Sequence, residues 1–171
     1  MNFYDIKQLP KSGYRADIPW WGIERFLSEQ GNVILEPDFQ REHVWNKTKQ
    51  TKYIEWILSG GASGKDIYFN CSTWMRGFST PMILVDGLQR LSAVREFLHN
   101  EVVAFGKYFS EFGGKMDYCN HGFVIHVANL KTRRDVLEWY IALNKGGVVH
   151  SNEEIERVRL LLRNTAENET I

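Results

Sequence analysis

The chain has 171 residues, 43% of them hydrophobic and 25% charged, with 21 basic and 21 acidic side chains and no formal net charge. Those figures are ordinary for one globular domain with a single core, over residues 1–171. They exclude a global basic field that would recruit nucleic acid, so any DNA contact needs a local patch.

No apolar run approaches the length of a membrane span, which leaves no membrane partner and a cytoplasmic location as the expectation. Cys71 and Cys119 form no Cys-x-x-Cys pair, and no His stands beside them at zinc-ligand spacing, so two reduced thiols are expected.

Phe3 to Leu9 reads as a short edge strand or an ordered arm, ended by Pro10 to Gly13. Ile18-Pro19-Trp20-Trp21 opens a helix, with Pro19 near its start. Trp20, Ile23, Phe26 and Leu27 give it an apolar face, and Gly31-Asn32 closes it. Val33 to Leu35 is a short strand.

Residues 37–45 are irregular and polar. Gln40 and Arg41 offer an amide and a guanidinium to a phosphate or a base. Trp45 either stacks on a base or plugs the core, and His43 reads as a solvated loop residue. Asn46 is an N-cap for a helix from Lys47 to Ser59, with Tyr53, Ile54, Ile57 and Leu58 inward. Lys47, Lys49 and Lys52 lie on the other face, either as a solvated surface or as the first basic patch to test for nucleic-acid binding.

Ser59 to Lys65 superficially resembles a phosphate loop. The glycine spacing is wrong, Asp66 stands where a hydroxyl is needed, and the segment follows a helix rather than a strand. A flexible connector is the reading.

Asp66 to Asn70 is a strand, and Trp74 to Pro81 a loop. The centre of the chain follows. Met82 to Val85 is a short buried strand, Asp86-Gly87 a turn, and Leu88 to Leu98 a helix with Leu91, Val94 and Leu98 on one face. Asp86 is expected to cap that helix. Gly87 lets the backbone pass close to a ligand, and the unpaired first-turn N–H groups favour an anion. Arg90 in that turn suits phosphate oxygens. The plainer alternative is that Asp86 only caps and Arg90 only pairs with a surface carboxylate.

Phe109, Phe112 and Tyr118 suggest a surface loop anchored by aromatics. Phe123, Ile125 and Val127 share one face of a strand, which puts His126 with Val124 on the other. His121 and His126 are not at the i, i+4 spacing of a zinc-protease helix. Thr132 or Asn129 caps the next helix, packed through Val136, Leu137, Tyr140 and Ile141, and Asn144 to Gly147 ends it. Ser151 with Glu154 reads as a capping box for a last helix, with Ile155, Val158, Leu161 and Leu162 inward. Residues 164–171 read as a frayed tail.

Asp86-Gly87-Leu88-Gln89-Arg90-Leu91-Ser92 resembles the Asp-Gly-Gln-Gln-Arg-Leu-Thr signature of the prokaryotic "domain of unknown function 262" family. Its members include GmrS-like N-terminal domains of GmrSD restriction systems, in the ParB/sulfiredoxin-like superfamily. Pro37 to Trp45 resembles the family's upstream Pro-x-Phe/Tyr-Gln-Arg-x-x-Val-Trp box, and Leu143-Asn144-Lys145-Gly146-Gly147 its downstream Leu-Asn-x-Gly-Gly box. The three boxes stand in family order, so the resemblance covers about residues 3–162.

The elements read along the chain give an α+β fold: a small mixed β-sheet (near 33–35, 66–70, 82–86 and 123–127) covered by about five helices. The resemblance implies that its core is ParB/sulfiredoxin-like. It also implies a short strand at Glu101 to Phe105. The implied function is that of a nucleotide-binding, Mg²⁺-dependent NTP-hydrolysing domain of restriction or antiphage type. Asp86, Gln89 and Arg90 would be catalytic, with Asp86 the magnesium ligand. Gln40, Arg41, Gly87 and Asn144 would complete the nucleoside triphosphate site. Leu88 replaces the first Gln of the signature and Ser92 its Thr, which weakens turnover more than binding.

Two other readings stand beside it. The first is a catalytically inert DNA- or protein-binding module: an adaptor, a regulator or a phage- or plasmid-encoded decoy. Family members often carry a second, His-Asn-His nuclease domain, for which this chain leaves no room, so a nuclease partner subunit is conceivable. The other is a metal-dependent DNA nuclease, against which the neutral charge and the lack of a carboxylate cluster argue.

Overall fold

A computed structural model of the chain describes residues 2, 13–40, 44–114, 121–145, 152–166 and 169–170. The expected strand at 3–9, Arg41, His43, Tyr118, Cys119, the Gly146-Gly147 helix end and Ser151 of the capping box lie outside the described residues.

The architecture is α+β. Five strands form one mixed sheet: β1 (Tyr14–Pro19), β2 (Val33–Ile34), β3 (Asp66–Asn70), β4 (Met82–Asp86) and β5 (Gly122–Ala128). Their spatial order is β1-β5-β3-β4-β2. β1 runs antiparallel to β5 and β4 antiparallel to β3, while β5–β3 and β2–β4 are parallel pairs. Five helices accompany the sheet: α1 (Ile23–Glu29), α2 (Lys47–Leu58), α3 (Leu88–Leu98), α4 (Arg133–Lys145) and α5 (Asn152–Asn164).

Alternation along the strands builds two cores, one on each face of the sheet. Ile67, Phe69, Met82, Leu84, Phe123, Ile125 and Val127 face α1, α2 and α3, and meet Trp20, Ile23, Ile54, Leu91 and Phe97. Ile83, Val85 and Ala128 face the other way and meet Val136, Leu137, Tyr140 and Val158 from α4 and α5. The inward faces expected of α1, α4 and β5 are the ones buried; on α3, Leu91 and Val94 are buried with Phe97, and Leu98 is partly buried. None of the described helices is long and apolar enough to cross a membrane.

Four local expectations are corrected. Residues 14–19, partly assigned to a helix opening at Ile18, form β1 along the edge of β5; a 3-10 turn at Trp20–Gly22 then leads into α1. Glu101 to Phe105 is not a strand. The Thr51 hydroxyl donates to the Val103 carbonyl and the Glu55 carboxylate accepts from the Phe105 amide, so side chains of α2 take the backbone groups a strand would pair. A single bridge joins Ala104 to Lys107 across a turn with Phe105 and Gly106 at positive φ.

The tail beyond α5 is not frayed where it is described. Thr165 is buried, its carbonyl accepts from Arg134, and Glu169 and Thr170 pair with Arg133 and Thr132 at the start of α4. The fourth correction concerns Asp86 and belongs to the site.

Other expected caps hold. Asn46 Oδ1 accepts from the Lys49 amide at 2.9 Å, and Thr132, not Asn129, accepts from the Asp135 amide at 3.2 Å. Phe109 and Phe112 anchor their loop edge-on against Phe97, with centroids 5.5 and 5.9 Å away.

Candidate functional site

The turn between β4 and α3 is set by Gly87. Its φ is +112°, and a Cβ there would fall 2.5 Å from Ile67 Cδ1 and 3.3 Å from Ile67 Cα. The close approach that glycine permits is therefore to strand β3, not to a ligand. Glycine lets α3 start hard against the sheet.

Asp86 does not cap α3. Gly87 occupies the N-cap position and, having no side chain, makes no cap bond of its own. Asp86 instead ends β4, and its Oδ2 accepts from Arg90 Nη2 at 2.7 Å. Both side chains are about a quarter exposed. Arg90 thus does pair with a carboxylate, but with the one in its own signature. Its Nε is buried with no partner among the described residues. The Arg90 stem passes Gly64 in the Ser59–Lys65 connector: a Cβ there would lie 3.9 Å from Arg90 Cδ and 3.4 Å from Tyr53. The Tyr53 hydroxyl donates to the Gly64 carbonyl at 2.8 Å, and Trp56 Nε1 donates to that of Ser63. Burial pushes the Tyr53 hydroxyl well above the ordinary tyrosine range, against a smaller lowering by Arg90.

Leu88 and Gln89 point inward. Leu88, the departure from the family signature, is buried in the core beneath α3. Gln89 is buried as well, and its Oε1 accepts from the amides of Val44 and Trp45 at 2.9 and 3.0 Å. The Gln40 amide reaches the Val85 carbonyl at 3.5 Å, a long contact. These bonds lay Gln40, Val44 and Trp45 against the Asp86–Arg90 turn.

Arg157 of α5 completes that junction by donating to the carbonyls of Asp38, Phe39 and Gln40. Glu36, Pro37, Asp38, Gln40, Val44, Glu154 and Arg157 line an open groove of about 530 Å³ beside it. That groove shares Gln40 with the turn but is not lined by Asp86 or Arg90.

The other expected site residues are more scattered. The Asn144 amide donates to the Tyr140 carbonyl one turn back in its own helix, at 2.7 Å. Lys47 is paired with Glu96 at 2.5 Å, and Lys49 lies over the Trp45 ring, 5.1 Å from its centroid. Lys52 is exposed. Trp45 packs edge-on against Tyr53 and touches the core, so its ring is used internally.

Three residues near the turn escaped the sequence reading. Tyr68 is the Cα partner of Asp86 across β3 and β4, and of His126 across β3 and β5. The pairing with β4 includes an irregularity between Tyr68 and Phe69 that brings the end of β4 alongside Tyr68. His126 Nε2 lies 2.7 Å from Asp66 Oδ1. The available signal was the polar alternation Asp66-x-Tyr68 on the face opposite Ile67, together with His126 opposite Ile125. Nothing in the sequence says that these two strands are neighbours.

Residues 23–123 match the GmrSD restriction endonuclease, N-terminal domain. The chain belongs to that family. The matched stretch starts at α1 and ends in β5, and it holds both the Pro37–Trp45 box and the Asp86–Arg90 turn. Asn144 and Arg157, on α4 and α5, fall outside it. No curated protein and no solved structure matches the chain.

Proposed function

We propose that this member of the GmrSD N-terminal family is a nucleotide-binding domain with a restriction or antiphage role, and that it hydrolyses the nucleoside triphosphate with Mg²⁺. The observation that carries the reading is the Asp86–Arg90 turn. An arginine whose Nε–H is buried with no partner among the described residues stands in the first turn of a helix whose N-cap is a glycine. Both features suit phosphate oxygens. A phosphate-binding turn at a helix start is also what a ParB/sulfiredoxin-like core would use, and that superfamily assignment is part of the proposal.

Magnesium fits this site in one form only. Among the described residues, no three His, Cys, Asp or Glu side chains gather into a metal cage. Mg²⁺ needs fewer, since it is commonly held by one or two carboxylates together with substrate phosphates. Asp86 would supply that carboxylate through Oδ1, the oxygen that Arg90 does not hold. The ion, when bound, neutralises phosphate charge. Arg90 orients the phosphates, and Gln89 keeps the Pro37–Trp45 box seated beside them. Gln40, whose amide reaches the Val85 carbonyl, would line the proposed pocket.

The reading of this chain as an inert DNA-binding module would rest on the basic face of α2. Glu96 already neutralises Lys47, and Lys49 is laid over Trp45. That face offers a weaker phosphate surface than its sequence suggests.

Calorimetric titration with ATP, GTP and CTP plus Mg²⁺, beside Arg90→Ala, tests the proposal. Binding by the wild type that vanishes in the variant, with the fold intact, is the expected result. A folded wild type that binds none of the three overturns it.

A further inference from the structure

Tyr68 stands in the middle of a row that crosses the sheet from β5 to β4. On one side, the His126 imidazole lies nearly parallel to its ring, 4.7 Å between centroids and 14° between planes. Trp139 of α4 meets the ring edge-on at 6.0 Å and 88°. His126 is in turn fixed by Asp66, whose carboxylate lies 2.7 Å from Nε2. Asp66 is two residues before Tyr68, on the same face of β3. The phenol ring is thus held by partners from two elements.

Its hydroxyl is a different matter. It makes no hydrogen bond to a described residue, and it is not sealed in the core. Asp66, Asp86 and Arg90 all lie within electrostatic reach of it. A rigid aromatic ring whose donor is unspent among the described residues, beside an arginine and a carboxylate, has the form of a ligand contact. Tyrosine places such a donor at low conformational cost, because only two torsions need fixing.

We propose that Tyr68 is a further binding residue of the Asp86–Arg90 site, its hydroxyl donating to a phosphate oxygen of the nucleotide, and that Asp66 and His126 are positioning residues that set the ring. The proposal rests on the nucleotide-binding reading above. Partial burial and the two carboxylates push the Tyr68 hydroxyl upward, so it keeps its proton at neutral pH and acts as a donor. Asp66 and His126 act only through the ring: Asp66 fixes the imidazole plane, and the imidazole fixes the phenol.

The test is a double-mutant cycle read by calorimetry with Mg²⁺ plus ATP, GTP or CTP, with melting temperatures measured alongside. Tyr68→Phe keeps the ring and removes only the hydroxyl. It should bind roughly ten-fold more weakly at an unchanged melting temperature, as expected for one hydrogen bond to a charged group. His126→Ala should lose a similar factor in the wild type and little further in the Tyr68→Phe background. His126→Phe, which keeps a stacked ring without the tie to Asp66, should fall between the two and guards against loss of fold.

Wild-type affinity in Tyr68→Phe, with binding lost in Arg90→Ala, overturns the proposal and leaves the phosphate site standing. An equal loss from His126→Ala in both backgrounds overturns the positioning role. No binding by the folded wild type overturns the nucleotide reading, and this proposal with it.

Discussion

The side-chain oxygen of Gln89 lies 2.9 Å from the backbone nitrogen of Val44. With a second bond to the Trp45 amide at 3.0 Å, one residue of α3 fastens a segment more than forty positions earlier in the chain. Removing it leaves two backbone donors without their acceptor. Gln89→Ala should lower stability by about 1–3 kcal/mol, read as a lower urea midpoint at an unchanged slope. A neutral result would mean that the 44–45 segment finds other partners.

Gly87 and Gly60 both have positive φ, but only Gly87 faces a crowded neighbour. Gly60→Ala meets nothing within 4 Å and should cost about 1 kcal/mol of backbone strain. Gly87→Ala adds the clash with Ile67 and should cost at least about 2 kcal/mol more. Equal losses in the two variants would show that Ile67 moves aside freely.

Arg157 carries the junction from the other side. Arg157→Ala removes three bonds to the carbonyls of residues 38–40. Two of these bonds are exposed and the one to Phe39 is part-buried, so the stability loss should be about 1 kcal/mol. Nucleotide affinity should fall more noticeably, because the Pro37–Trp45 box loses its anchor. A variant that binds as tightly as the wild type would separate that box from the site.

Asp86 holds Arg90 through one carboxylate oxygen. Asp86→Asn should free the guanidinium and let the protein bind Mg²⁺-free pyrophosphate more tightly than the wild type does, while the gain from added Mg²⁺ shrinks. Calorimetry with and without the ion reads both effects. Weaker binding under both conditions would mean that the ion pair holds Arg90 in its working position.

Alkaline pH should expose Tyr53. Its pKa is raised in the folded protein, chiefly by burial, so folding favours the protonated phenol. That contribution is fully present below the unfolded value, about 10, and is lost as pH rises beyond it towards the raised folded value. Tyr53→Phe should lose about 1 kcal/mol at pH 8 with the bond to Gly64, yet decline less steeply than the wild type above pH 10. Parallel stability curves from pH 8 to 11 would overturn this.

Much of the fold is legible in residue spacing. The inward stripe of α4 (Val136, Leu137, Tyr140, Ile141), the alternation of β5 and the strand–turn–helix at Met82–Leu98 are each written within a dozen residues. A helix or strand face depends on local periodicity, so a window of the sequence contains it. The turn at Asp86–Arg90 belongs to this group, and so does Asn46 as a cap.

What those residues do in the turn was decided by tertiary packing. Whether Asp86 caps or pairs, and whether Gly87 admits a ligand or strand β3, depends on Ile67, twenty residues away. β1 is a strand because the edge of β5 offers it partners more than a hundred residues downstream. The row of His126, Tyr68 and Asp86 exists only because β5, β3 and β4 lie side by side, an order that chain sequence does not follow. Periodicity along a chain is local, whereas neighbours across a sheet are chosen by the burial of the whole fold. For this protein, the sequence determined which faces turn inward, and only the folded structure determined which polar groups meet.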